Sequence, residues 1–169
     1  MSRDPRRTPA GRPGTRPGTR PGGDPAGADE AEGPDGADGA GSVEEQVARE
    51  LHRLRQEIPG VLACLVATVD GLLVADDGSD LPAPQLAALT STLTGLARHA
   101  VEVTRRGELL DAVIRGSDGH LAVFTVGDAA VLAVVAHPDV TVAWLHVRTR
   151  PVVQRLARLA DGFGRFYTG

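Results

Sequence analysis

Apolar and polar positions divide the chain at residue 42. Residues 1–41 carry almost no large apolar side chain, and nearly every Leu, Val and Ile lies beyond Ser42. Ser42 and Glu45 have the spacing of a capping box, in which hydroxyl and carboxylate satisfy the free N–H groups of a helix start. Val43, Val47, Leu51 and Leu54 then recur at helical spacing, predicting an amphipathic helix that Ile58-Pro59-Gly60 terminates. Val61 to Val69 is almost continuously apolar, the pattern of a strand covered on both faces. Asp70-Gly71 is a hairpin dipeptide, and Leu72 to Ala75 its antiparallel continuation.

Leu81 to Val103 predicts a long second helix with Pro82 and Pro84 at its start. Leu86, Leu89, Leu93, Leu96, Ala100 and Val103 form one stripe, and Ala87, Thr90, Thr94, Ala97 and Val101 a neighbouring stripe of small or weakly polar residues. No charged residue stands between Asp80 and Arg98, whereas a helix with its back to water carries charge there. The pattern therefore predicts a helix covered on two sides. Leu109 to Arg115, Leu121 to Val126 and Ala129 to Ala136 read as three further strands, turning at Asp118-Gly119 and Gly127-Asp128. The first sets Asp111 and Arg115 against Leu110, Ala112 and Ile114, which suits a sheet edge. The last segment supports two readings. Val152, Leu156, Leu159 and Phe163 have helical spacing, while Val140 to Val147 is β-branched enough for a strand, and Pro151 interrupts any continuous helix. Helices separated by antiparallel runs make one sheet with helices on its faces, an α+β fold.

Composition refines this picture. A segment as poor in apolar groups as residues 1–41 cannot offset the entropy of ordering itself, so a disordered low-complexity tail is expected there. Within it Arg12-Pro13-Gly14-Thr15 recurs as Arg16-Pro17-Gly18-Thr19, the arginines all precede Pro21, and the acids other than Asp4 follow Gly23. A basic arm reaching an acidic partner is one reading of that asymmetry; a solvated linker is the reading its composition favours. The net charge of −4 argues against nucleic acid as a partner, no apolar run has the roughly 20 residues needed to span a bilayer, and an Arg- and Pro-rich start without an apolar core is no signal peptide. A cytoplasmic protein without membrane insertion is expected.

Chemistry is sparse. All 18 basic residues are arginine, so the chain has no Walker-A lysine and is no ordinary P-loop GTPase. Cys64 is the single cysteine, and His52, His99, His120, His137 and His146 show no metal-ligand spacing; no metal and no cofactor are expected. Ser117-Asp118-Gly119-His120 gathers a hydroxyl, a carboxylate and an imidazole, but on one hairpin turn, where neighbours face opposite ways; no catalytic residue is assigned. Trp144 suits an interface anchor or a core position equally. Arg98, Arg105 and Arg106 follow the uncharged helix, either as ordinary C-terminal cations complementing the helix dipole or as contacts to an acidic protein surface.

Several strings, in this order and spacing, resemble the Roadblock/dynein light-chain family: Ile58-Pro59-Gly60-Val61, Ala67-Thr68-Val69-Asp70-Gly71-Leu72, Ile114-Arg115-Gly116 through Gly119-His120, Val126 to Val134, and His137-Pro138-Asp139. The resemblance covers about residues 43–161. It implies a Roadblock-like domain at 42–162 between the tail at 1–41 and a short C-terminal tail at 163–169. It implies a five-stranded antiparallel sheet with one long helix on one face and two on the other, in the order α-β-β-α-β-β-β-α. It starts the third helix near Asp139, where Pro151, a departure from the family pattern, would kink or split it. Members dimerise through the second helix and third strand, which makes Thr90, Thr94, Ala97, Val101, Leu110, Ala112 and Ile114 the candidate homodimer contacts. Bacterial relatives regulate small Ras-like GTPases, and some accompany a sensor-kinase-like protein. The implied function is a non-enzymatic homodimeric platform biasing the nucleotide state of such a GTPase, with Arg98, Arg105 and Arg106 as candidate contacts. A scaffold tethering a sensor-kinase-like protein without GTPase regulation is the alternative.

Overall fold

The structure, a computed structural model, describes residues 41–78 and 80–160. The expectations for the tails at 1–41 and 163–169 fall outside this range, except at Gly41. The element order is α1 (Val43–Glu57), β1 (Val61–Thr68), β2 (Leu73–Asp77), α2 (Ala83–Val103), β3 (Asp111–Gly116), β4 (Gly119–Val126), β5 (Ala130–Ala136) and α3 (Val142–Ala160). This is the α+β order that sequence reading and resemblance together imply. The strands form one antiparallel sheet in the order β2-β1-β5-β4-β3.

Helix α1 starts as its capping residues dictate, with the Ser42 hydroxyl accepting from the Glu45 N–H at 3.3 Å. Val47, Leu51 and Leu54 are fully buried, each worth about 1.5–3 kcal/mol of apolar burial. The chain leaves α1 through Gly60, whose φ of +91° favours glycine and where a Cβ would meet Val140 Cγ2 at 2.5 Å. Helices α1 and α3 share one face of the sheet and enclose the larger core, which includes Leu51, Leu54, Val66, Leu132, Leu145 and Leu156. Among the described residues, helix α2 lies alone on the other face over Leu65, Ala67, Val123, Val131 and Ala133. Strand β1, read from sequence as covered on both sides, is buried apart from Leu62. Strands β2 and β3 form the sheet edges, as the mixed character of β3 predicts.

The C-terminal segment resolves as one helix. Val140 is buried in the turn before it, and the Thr141 hydroxyl accepts from the Trp144 N–H at 3.3 Å, so the helix starts three residues later than Asp139. Burial of Leu145, Thr149, Val152 and Leu156 at helical spacing overrides the β propensity of the segment. Pro151 lies inside the helix without splitting it. Pro151 and Val147, whose carbonyl loses its partner to the proline, are both on the exposed side, where water can satisfy that carbonyl.

A candidate interface on the second helix and the edge strand

Orientation of α2 decides which of its two stripes is available to a partner. Ala87, Thr90, Ser91 and Thr94 are the buried residues of the helix, and they face the protomer's own sheet. Their hydroxyls are satisfied locally: Thr90 Oγ1 donates to the Ala87 carbonyl at 3.0 Å, Thr94 Oγ1 to that of Thr90 at 2.8 Å, and Ser91 Oγ to that of Thr68 on β1 at 2.8 Å. A small hydroxyl that bonds back to its own helix satisfies its polar group without occupying space, which allows the helix to lie close to the sheet. Leu86 and Leu93 flank this stripe, partly buried in the same core.

The opposite side of α2 is apolar and open. Leu89, Leu96 and Val103 are 58, 69 and 68 % exposed. Their seven-residue spacing places them one above another on a helix, the row that packs against a second helix. The exposed Thr92, Gly95 and His99 border it. Beside the helix, Ala112 pairs with Val123 and Ile114 with Leu121, so both share the sheet face that α2 covers. Leu110, just before β3, is held by its carbonyl accepting from the Thr125 N–H at 3.2 Å, and it borders a cleft with Phe124, His146 and Val153 on the α3 side of the sheet. Leu110 is 73 % and Ile114 48 % exposed. The apolar row of α2 and the apolar side of β3 thus belong to one flank of the sheet, next to the unpaired backbone of an edge strand.

Of the seven contacts anticipated from sequence, Ile114 is exposed on this flank, Leu110 is exposed just before β3, and Ala97, Val101 and Ala112 are half-buried. Thr90 and Thr94 are turned inward to the sheet, at 0 and 3 % exposure. Leu89, Leu96 and Val103 occupy the outward position instead. The exchange has a simple cause: larger side chains on the sheet side would hold the helix away from the strands. The heptad spacing of the outward row was the available signal.

Arg105 adopts φ +55°, the one left-handed residue other than glycine among those described. It ends α2: the Arg106 N–H donates to the Val101 carbonyl at 3.0 Å and the Arg105 N–H to that of Glu102 at 2.9 Å, the paired bonds of a Schellman cap. Arg105 and Arg106 therefore project from a tight turn between α2 and β3, with Arg98 half-exposed two turns earlier.

Elsewhere the structure separates groups that adjoin in sequence. Ser117 Oγ lies 3.0 Å from Asp118 Oδ2 on the exposed turn, whereas His120 is buried and its Nδ1 has no hydrogen-bond partner among the described residues. Cys64 is 2 % exposed; burial first, and the Asp77 carboxylate second, push its thiol up to about 12, so it stays protonated and inert. Among the described residues no group of three or more His, Cys, Asp or Glu is placed to hold a metal ion, and no helix is long and apolar enough to cross a membrane.

Comparison with known proteins agrees with this architecture. No protein of curated function matches the chain. Among solved structures, a Roadblock/LC7 domain from Streptomyces avermitilis is 27 % identical with a TM-score of 0.62, covering 66 % of this chain and 94 % of its own. The gliding protein MglB from Thermus thermophilus is 18 % identical with a TM-score of 0.65, covering 73 % and 94 %. A structure described as MglB with tetrameric arrangement, also 18 % identical, has a TM-score of 0.66 and covers 73 % and 93 %. The two MglB structures share the fold. A family model described as the Roadblock/LC7 domain matches residues 47–136, from within α1 to the end of β5, and this chain belongs to that family.

Proposed function

We propose that the chain acts as a homodimeric regulatory platform for a small Ras-like GTPase. The observation that carries the reading is the row Leu89, Leu96 and Val103 on the side of α2 remote from its own sheet, continued by Ile114. In a second copy the same row supplies a self-complementary surface, as two-fold symmetry requires. The free edge of β3 lies beside it, so pairing α2 with α2 also brings two edge strands together and removes an exposed edge. Membership of the Roadblock/LC7 family, and likeness to an MglB described in a tetrameric arrangement, support self-association.

The dimer then offers a GTPase a rigid face flanked by the α2–β3 turns. Arg105 and Arg106 stand at those turns and Arg98 two helical turns before them, where they complement acidic switch segments. Regulation follows from differential affinity: the platform binds one switch conformation better than the other and shifts the population toward it. No residue of this chain need enter the chemistry.

The test has two arms. Sedimentation of the full chain establishes its oligomeric state, and GTP turnover and nucleotide release by a small Ras-like GTPase are measured with and without the protein. A dimer that changes either rate is the expected result. A monomer at micromolar concentration, or a dimer that neither binds the GTPase nor alters its rates, would remove the reading; in the latter case capture of a sensor-kinase-like protein alone would favour the scaffold.

A further inference from the structure

The other face of the molecule carries a charged surface that the reading above leaves unused. Helix α3 holds four arginines, Arg148, Arg150, Arg155 and Arg158, and no acid among its 19 residues, in a chain whose net charge is −4. Three of them line the seam between α3 and α1. Two clefts of about 510 and 340 Å³ run along this seam and share Arg53 and Arg155 as walls, so they form one groove. Five arginines border it, the others being Arg49, Arg148 and Arg158, against two carboxylates, Glu50 and Glu57.

The internal ion pairs use little of that charge. Glu50 accepts from Arg155 Nε at 2.8 Å and from Arg53 at 3.3 Å, which joins α1 to α3. Among the described residues Arg148 and Arg158 have no carboxylate within ion-pair distance. Arg148 instead lies over the Trp144 ring, 5.7 Å from its centroid, a placement that fixes the guanidinium at the groove wall. Apolar surface interrupts the basic lining: Val147 is 70 % exposed, and Trp144 and Pro151 flank it.

We propose that the α1–α3 groove is a docking site for an acidic amphipathic segment of a partner protein, its carboxylates meeting Arg148, Arg155 and Arg158 and its apolar side chains resting on Val147 and Trp144. Charge complementarity selects the acidic partner. The lining runs along two packed helices from Gln46 to Glu57 of α1, about 18 Å at 1.5 Å per residue, which matches the length of one short helix or strand. The groove lies on the sheet face opposite α2, so it stays open in the proposed dimer, and the inference stands whether or not a GTPase uses the other face.

Trp144 is the single tryptophan of the chain, so intrinsic fluorescence reports from the groove itself. The full chain is titrated with a capped 18-residue Glu/Leu peptide of helical pattern, a scrambled peptide of the same composition, a Lys/Leu counterpart, and phosphatidylserine–phosphatidylcholine vesicles. The expected result is a saturable, salt-sensitive change of Trp144 emission with the patterned acidic peptide. Arg148→Glu with Arg158→Glu weakens it by about tenfold or more, while Arg115→Glu, exposed and outside the groove, leaves it unchanged. Both substitutions are at exposed positions, and circular dichroism confirms that the variant is folded. No response to the patterned acidic peptide, an equal response to the scrambled peptide, an undiminished response in the double variant, or binding to vesicles alone would each overturn the proposal.

Discussion

Leu96→Ala tests the α2 face most directly. The side chain is 69 % exposed in the protomer and belongs to neither core. Fully burying a leucine is worth about 1.5–3 kcal/mol, so the exposed part leaves about 1–2 kcal/mol per copy for a partner to bury. A two-fold interface counts it twice. Truncation to alanine should therefore weaken the dimer by about 2–4 kcal/mol, or about 30- to 700-fold in Kd. Leu96→Asp should abolish it at micromolar concentration, because each copy would bury an unpaired carboxylate. Sedimentation velocity over a dilution series measures the first, and light scattering behind a sizing column the second. The folding stability of the separated protomer should change by less than about 0.5 kcal/mol, since the side chain touches no core; guanidinium unfolding at a concentration where both proteins are monomeric checks this. Leu93→Ala, one turn earlier and packed into the α2 core, should instead lower folding stability. A Leu96→Asp protein that dimerises like the parent would refute the reasoning, as would a parent that is monomeric throughout.

Three further outcomes follow from single residues. Arg105→Gly should raise stability by about 0.5–1 kcal/mol, because the cap holds Arg105 at φ +55° and glycine adopts that region without strain; thermal unfolding measures it, and weaker GTPase binding by the same variant would support its proposed contact. Gly60→Ala should destabilise by at least about 1 kcal/mol, since φ is +91° and the new Cβ would meet Val140 Cγ2 at 2.5 Å; denaturant titration decides. Cys64 should resist iodoacetamide at pH 8 in the folded chain and react in guanidinium. Its folded value of about 12 lies above the ordinary 9.0, so its contribution to stability is complete below pH 9 and is lost as pH rises toward 12; stability of a Cys64→Ala chain should show less of this alkaline decline.

Much of this fold is written in local pattern. The capping pair Ser42 and Glu45, the spacing of Val47, Leu51 and Leu54, and the turns at Asp70-Gly71 and Gly127-Asp128 each act within a few residues, so α1 and the succession of strands along the chain were legible without coordinates. The absence of charge between Asp80 and Arg98 likewise marked the outer side of α2 as apolar. Which stripe of α2 faces the sheet was not legible, because leucines and small residues are both compatible with burial. Close packing on the strands decided it, drawing Thr90 and Thr94 in and leaving Leu89 and Leu96 out. The segment Val140 to Val147 shows the same limit: β-branched residues favour a strand locally, and only the pocket that receives Leu145, Thr149 and Val152 makes it helical. The arginines at the α1–α3 seam come from segments about 100 residues apart in the chain. Their convergence is a property of the packed helices alone. Short-range hydrogen bonding and periodicity are encoded along the chain, whereas the choice between two apolar faces, and the meeting of distant charges, depends on the shape against which each element packs.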